Sequence, residues 1–278
     1  MNEIVSSIVI AIVVVGIISL VCAFILILGN KFFSVPVDEK FTKLRECLPG
    51  ANCGACGFSG CDGYAQALAE NPETKTNLCV PGGADAAEAL SQIMGVSCES
   101  VEAKVAYNHC QGGCGNTEKK YEYEGIETCK AAKMLYGGDG SCTFGCLGYG
   151  DCAAACPSNA ICIEQINDAE NGYKIAHVDP RICTGCGVCV KTCPNHVLGL
   201  VPKDAKTAVT CNNKNMGAVA RKACTNACIA CHKCEKNCPQ QAITIVENLA
   251  QIDYSLCNGC GTCVQECPVH ALKEVQFQ

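Results

Sequence analysis

Apolar and polar positions divide the chain unevenly. From Ile4 to Leu28 run 25 residues without a charge, mostly Ile, Val and Leu. At about 1.5 Å rise per residue, a helix of that length exceeds the roughly 30 Å hydrocarbon core of a bilayer. The pattern predicts a single N-terminal transmembrane helix within residues 1–30. A cleaved signal peptide fits less well, because Glu3 stands where a basic leader would begin and no small-residue cleavage site follows. A lipid-bearing Cys22 fits less well for the same reason, and because the preceding Val21 is bulky. Lys31, Lys40, Lys43 and Arg45 follow the span, which by the positive-inside rule places the C-terminal bulk on the cytoplasmic side of a cell membrane. That side is reducing and disfavours structural disulfides.

Beyond the anchor, residues 31–48 read as an amphipathic connector broken at Pro36. The Ala-rich stretches GYAQALAENPE (63–73) and ADAAEALSQIMGV (84–96) predict two short helices. Short β-rich pieces follow: AICIE (160–164), KIAHV (174–178), HVLGLV (196–201), AITIVE (242–247) and LAQID (249–253). The predicted fold class is α+β. Residues 31–97 form a small four-cysteine domain, 98–136 a connector, and 137–203 and 204–278 two tandem modules.

Composition changes the picture at one point above all. Of 278 residues, 29 are cysteine, so packing of apolar side chains need not hold the chain together by itself. A net charge of −6, no tryptophan and no basic cluster argue against nucleic acid as a partner.

Disulfide scaffolds, zinc ribbons and iron–sulfur clusters compete to explain so many thiols, and spacing separates them. Residues 183–194 read CTGCGVCVKTCP, 228–239 CIACHKCEKNCP and 257–268 CNGCGTCVQECP. These repeat the bacterial ferredoxin interval C-x2-C-x2-C-x3-C-P, in which three thiolates cap one cube and the fourth ligates the neighbouring cluster. A tetrahedral zinc site has no use for the third closely spaced cysteine. Cys183, Cys186, Cys189 and Cys193 recur 74 residues later as Cys257, Cys260, Cys263 and Cys267, which marks a duplication. The later unit has its partner run at Cys228, Cys231, Cys234 and Cys238. The earlier unit's partner run is Cys142, Cys146, Cys152 and Cys156, with irregular intervals that imply a longer loop. Pro157, Pro194, Pro239 and Pro268 turn the chain out of each run.

Cross-ligation within each unit predicts five [4Fe-4S] cubes. The first uses Cys53, Cys56, Cys61 and Cys79, where CGACGFSGC supplies glycines for tight wrapping; zinc remains an alternative for this set alone. The earlier unit binds one cube through Cys142, Cys146, Cys152 and Cys193, and one through Cys183, Cys186, Cys189 and Cys156. The later unit binds one through Cys228, Cys231, Cys234 and Cys267, and one through Cys257, Cys260, Cys263 and Cys238. Nine cysteines remain. Cys22, Cys47, Cys98 and Cys162 read as small packing side chains, Cys22 and Cys162 as buried ones. From Cys110, Cys114, Cys129, Cys211 and Cys224, the expected sixth site is Cys110, Cys129, Cys211 and Cys224, with free thiols as the alternative. His109, His177, His196, His232 and His270 show no metal spacing and read as surface or loop residues, with His109 a ligand only if the sixth site is mixed.

Anchor, four-cysteine segment and ferredoxin runs together resemble the iron–sulfur B subunit of Rnf complexes, the ion-translocating ferredoxin:NAD oxidoreductases of bacterial membranes. The resemblance covers nearly the whole chain, in the extended form with two ferredoxin units. It implies a membrane-anchored electron-transfer subunit that accepts electrons from soluble reduced ferredoxin. Electrons then pass toward membrane and flavin-bearing subunits that couple their flow to export of Na+ or H+. No dinucleotide fingerprint, P-loop or carboxylate pair stands out, so no substrate-bond chemistry is expected in this chain. Five cubes add about −10 to the formal charge, which favours low potentials. Lys203, Lys206, Lys214, Arg221 and Lys222 are candidate docking charges for an acidic ferredoxin, or a solvated face. The rival readings are a polyferredoxin subunit of a membrane hydrogenase or formate dehydrogenase, against which the four-cysteine domain argues, and a zinc-stabilised scaffold.

Overall fold

A computed structural model describes residues 2–33, 39–98, 102–113, 115–166 and 173–277. Pro36 and Cys114 lie outside the described residues. The chain divides into two compact units, Met1–Thr42 and Lys43–Gln278.

The first unit contains helix α1, Asn2–Phe33. Here the expected membrane anchor is corrected: among the described residues no helix is long and apolar enough to cross a membrane. The single-pass topology, and the cytoplasmic placement derived from it, go with the anchor. Cys22 is exposed on this helix rather than buried.

The second unit opens with a small helical domain. α2 (Glu39–Glu46) carries the buried Leu44 into it. α3 (Cys61–Glu70) buries Tyr64, Ala65 and Leu68, and α4 (Gly83–Met94) buries Ala86, Ala87 and Leu90, each at helical spacing. The Tyr64 hydroxyl donates to the Lys75 carbonyl at 2.6 Å, and the buried Thr76 and Ser91 hydroxyls pair at 2.7 Å. Gly95 stops α4 in the left-handed conformation.

Two modules of one plan follow. The first runs through β1 (Lys104–Asn108), α5 (Cys129–Met134), α6 (Asp151–Ala154), β2 (Ile161–Ile166), β3 (Tyr173–Val178), α7 (Val188–Thr192) and β4 (Leu198–Pro202). The second runs through β5 (Thr207–Val209), α8 (Gly217–Ala223), α9 (Lys233–Lys236), β6 (Ile243–Val246), β7 (Leu249–Ile252), α10 (Thr262–Gln265) and β8 (Leu272–Glu274). In each, a central antiparallel pair (β2 with β3, β6 with β7) is matched by a second pair that joins the module's first and last strands (β1 with β4, β5 with β8). The outer register sets Lys104 against Pro202 and Thr207 against Glu274. β1 therefore makes part of the 98–136 stretch a strand of the first module, not a connector. β2 alternates, burying Ile161 and exposing Cys162, whose thiol approaches the Glu164 carboxylate at 3.6 Å, so Cys162 is not the buried side chain its apolar neighbours suggest.

The cores of both modules mix small apolar side chains with sulfur. Ala106, Ile161, Ala176, Val197 and Leu198 pack with Cys146, Cys152, Cys189 and Cys193. Val209, Ala220, Ile243, Leu249 and Leu272 pack with Cys211, Cys228, Cys234, Cys263 and Cys267. So little apolar volume stabilises a fold weakly, which leaves the sulfur-bound groups as structural elements in their own right.

Four cysteine loops share one backbone path. Gly185 and Gly187, Gly259 and Gly261, and Gly148 and Gly150 all have left-handed φ between 68° and 86°. In the remaining loop Ala230 and His232 adopt the same conformation at 53° and 58°. A Cβ at Gly185 would fall on the Lys104 carbonyl, so that position also needs the missing side chain. Left-handed φ costs a non-glycine residue about 1–2 kcal/mol. Ala230→Gly is therefore expected to stabilise the cluster-loaded protein by about 1 kcal/mol in guanidinium unfolding followed by visible absorbance, and Gly185→Ala to destabilise it by at least as much.

Candidate metal centres

In the small domain the loop 53–61 brings three cysteines against the turn that carries Cys79. The Cys79 thiol is raised chiefly by burial, and then by the charges of Cys61, Cys56 and Cys53, while the Gly82 amide donates to its sulfur. The Asn52 side chain accepts from the Cys61 N–H at 2.9 Å and so clamps the start of α3 over the loop. Four thiols from two segments thus face one another.

The modules repeat this with cysteines exchanged between loops. Burial and the charges of Cys183, Cys186 and Cys156 push Cys189 up to about 11. Burial and Cys228, Cys267 and Cys231 push Cys234 up to about 12. Burial and Cys257, Cys260 and Cys238 push Cys263 up to about 11. Each group joins three cysteines of one loop to the last cysteine of the opposite loop. Cys238, Cys257, Cys260 and Cys263 line one cavity. The exchange works because the residue after each terminal cysteine is a proline, and the chain then folds back on itself. Asn159, His196, Gln241 and His270, each three residues past the cysteine, all take left-handed φ near 51°. Their amides bond back to the cysteine carbonyls at 3.1–3.3 Å. The next amide then reaches sulfur: Ala160 to Cys156 at 3.3 Å, Ala242 to Cys238 at 3.4 Å and Ala271 to Cys267 at 3.2 Å. His196 and His270 thus serve the turn.

The remaining group of the first module differs from the sequence expectation. Cys146, Cys152 and Cys193 line a cavity with Cys129, not with Cys142. The loop is not lengthened. Aligned on its proline, CLGYGDCAAACP (146–157) matches CTGCGVCVKTCP residue for residue, with Tyr149 where the second cysteine stands. Gly148 and Gly150 keep the left-handed path on either side. Cys129, at the start of α5, fills the gap, and its sulfur accepts from the Tyr149 and Gly150 amides. Asp151 fixes that helix end by accepting from the Cys129 and Lys130 amides at 2.9 and 3.0 Å, and Thr128 caps it through Ala131. The Tyr149 hydroxyl instead donates to the buried Asp139 carboxylate at 3.1 Å. Burial, followed by Cys129, Cys193 and Cys189, pushes Cys152 up to about 12. The signal in the sequence is the preserved spacing at 146, 152 and 156, which four visible cysteines at 142, 146, 152 and 156 conceal.

Cys142, released from that group, lines a cavity with Cys110, Cys211 and Cys224. The combination expected for a sixth site had Cys129 in its place. His109 is half-buried, with Nδ1 at 2.6 Å from the Val209 carbonyl, and desolvation lowers its pKa. Cys47 donates to the Lys43 carbonyl at 3.3 Å. Lys214, one of the candidate docking cations, pairs with Glu247 at 2.6 Å.

These groups fit iron–sulfur clusters. Buried neutral thiols ringed by other thiols and by backbone N–H donors are poorly matched to one another; a cationic core that deprotonates them satisfies both the donors and the mutual repulsion. No three His, Cys, Asp or Glu side chains among the described residues are placed to share one metal ion.

Hairpins paired about exchanged cysteine loops define a protein of the two-cluster ferredoxin type, here in tandem behind a further cysteine domain. Comparison with known families agrees. A model described as a putative Fe-S cluster matches residues 48–81. One 4Fe-4S dicluster domain matches 141–197 and 227–271, and another matches 182–242, across the junction of the modules. The chain is 40% identical over 267 residues to the B subunit of the Na+-translocating ferredoxin:NAD+ oxidoreductase complex of Acetobacterium woodii, covering 96% of this chain and 78% of that one. It is 41% identical over 272 residues to the proton-translocating counterpart of Clostridium ljungdahlii (97% and 93%). Against the B subunit of the ion-translocating oxidoreductase complex of Methanosarcina acetivorans it is 36% identical over 248 residues (89% and 91%). The chain belongs to this family, the B subunits of Rnf complexes.

The Tyr149 substitution yields a sharp expectation. Cys129→Ser should remove about four irons from the anaerobically purified chain, whereas Tyr149→Phe should leave the iron content unchanged, by elemental analysis.

Proposed function

We propose that this chain is the electron-transfer subunit through which an ion-translocating ferredoxin:NAD oxidoreductase takes electrons from reduced soluble ferredoxin and delivers them to flavin-bearing subunits. Five [4Fe-4S] clusters are assigned to Cys53, Cys56, Cys61 and Cys79; Cys129, Cys146, Cys152 and Cys193; Cys156, Cys183, Cys186 and Cys189; Cys228, Cys231, Cys234 and Cys267; and Cys238, Cys257, Cys260 and Cys263. When bound, such clusters each take up and release one electron at potentials set by hydrogen bonding and exposure. The names of the relatives support the complex, and the four-thiol geometry supports the relay.

The observation that carries the reading is the nesting of neighbouring groups. Cys189 of one group is close enough to Cys152 of the next for its charge to act there. Cys152 lies in α6 and Cys156 two residues past its end, yet they serve different groups. Loop exchange therefore holds two groups side by side at fixed separation, as short-range electron transfer requires. The chain's own residues do three things. Thiolates anchor each group, amides of Ala106, Ala160, Ala242 and Ala271 donate to ligand sulfurs, and the apolar strands keep water from most of the thiols. Exposure is uneven: Cys231 and Cys260 are exposed, while Cys146, Cys152, Cys189 and Cys193 are buried. The second module thus offers sulfur nearest the surface, and it is assigned the ferredoxin contact.

Purified without oxygen, the chain is expected to be brown and to bleach with dithionite; a colourless preparation overturns the reading. Cys260→Ala should lower ferredoxin-dependent NAD reduction by the assembled complex about tenfold or more. Wild-type turnover would take that cluster off the electron path.

A further inference from the structure

Four cysteines outside the five groups meet where the modules adjoin. Cys110, Cys142, Cys211 and Cys224 line one cavity. Its space free of atoms is about 380 Å³, comparable with about 320 Å³ at the Cys129 group and about 290 Å³ at the Cys257 group. Every one of the four sulfurs faces N–H donors. Gly112 and Cys146 donate to Cys110 at 3.4 and 3.3 Å, and Asn213 and Cys228 donate to Cys211 at 3.4 and 3.3 Å. The buried Asn213 side-chain amide reaches Cys142 at 3.4 Å, and the Asn226 and Ala227 amides reach Cys224. Donors gathered on weakly accepting neutral thiols are poorly satisfied; on metal-bound thiolates they are well satisfied.

A second observation comes from a side chain that is not a sulfur. Tyr173 lines the same cavity, is only 9% exposed, and its buried hydroxyl has no hydrogen-bond partner. Buried hydroxyls without partners are costly and rare, and this one borders a space ringed by thiols. All four cysteines are free thiols in the structure, so no disulfide accounts for their meeting.

We propose that Cys110, Cys142, Cys211 and Cys224 hold a sixth [4Fe-4S] cluster, and that the Tyr173 hydroxyl donates to one of its sulfurs. The proposal rests on the reading of this chain as a cluster relay and extends it. One of the two amides on Cys110 belongs to Cys146, and one of the two on Cys211 to Cys228, ligands of the first and of the second module. The site is thus bonded to one cluster loop on each side and links the two modules. Cys142 is free for it because Cys129 completes the neighbouring group.

Iron, acid-labile sulfide and zinc are to be measured on the full chain purified without oxygen. About 24 irons and 24 sulfides per chain with no zinc are expected. About 20 of each, with or without one zinc, overturns the sixth cluster and leaves the relay standing, whereas absence of sulfide overturns both. Cys142→Ser and Cys211→Ser should each lower iron to about 20, and Cys162→Ser should leave about 24; loss in only one of the first two overturns this ligand set. Tyr173→Phe, which keeps every thiol, should retain the full iron content and move the midpoint of one cluster to more negative potential in an EPR-monitored titration. Unchanged midpoints overturn the role of the hydroxyl.

Discussion

A cubic cluster demands four sulfurs at fixed mutual distances, and a short polypeptide loop supplies only three of them. Three thiolates spaced three residues apart wrap one side of such a core; the fourth has to arrive from elsewhere in the chain. Every other feature of the modules follows from that demand. The left-handed residues bend the loop, the proline after the terminal cysteine sends that thiol across, and the paired hairpins hold two such loops face to face. Because the fourth ligand is exchanged, neither loop of a module can close its site without the other. The small alanine- and valine-rich cores become adequate only in that light.

The first module shows how far the demand can be met by other means. Tyr149 occupies a ligand position and keeps the loop's path, while the thiol comes from Cys129, twenty residues upstream, on a helix end pinned by Asp151. The missing ligand is thus replaced in space rather than in sequence. One consequence is local: Tyr149 is free to bond the buried Asp139. The other is at the module boundary, where Cys142 joins Cys110, Cys211 and Cys224 instead of the loop that follows it.

Uneven exposure gives the assembly a direction. Ligand sulfurs of the first module are largely buried, those of the second reach the surface at Cys231 and Cys260, and the small domain presents Cys53 and Cys56 at intermediate exposure. Burial lowers the local dielectric and resists added charge, whereas exposure and hydrogen bonding to sulfur favour the reduced state. A gradient of environments along one chain is the physical basis for a relay, as distinct from a store, of electrons.

Much of this was legible in the amino-acid sequence alone. Regular cysteine intervals marked three of the loops, and strand alternation marked the central hairpins, because spacing within a loop and alternation within a strand are local properties. The tertiary structure decided what depends on distant segments. It made Lys104–Asn108 a module strand by pairing it with Leu198–Pro202, turned Cys162 outward, set Cys129 in the place Cys142 seemed to hold, and left no helix among the described residues long and apolar enough to cross a membrane. Spacing constrains a ligand only while the loop that carries it is continuous. Where a ligand arrives from another element, its identity is settled by packing in three dimensions, and sequence order says nothing about it.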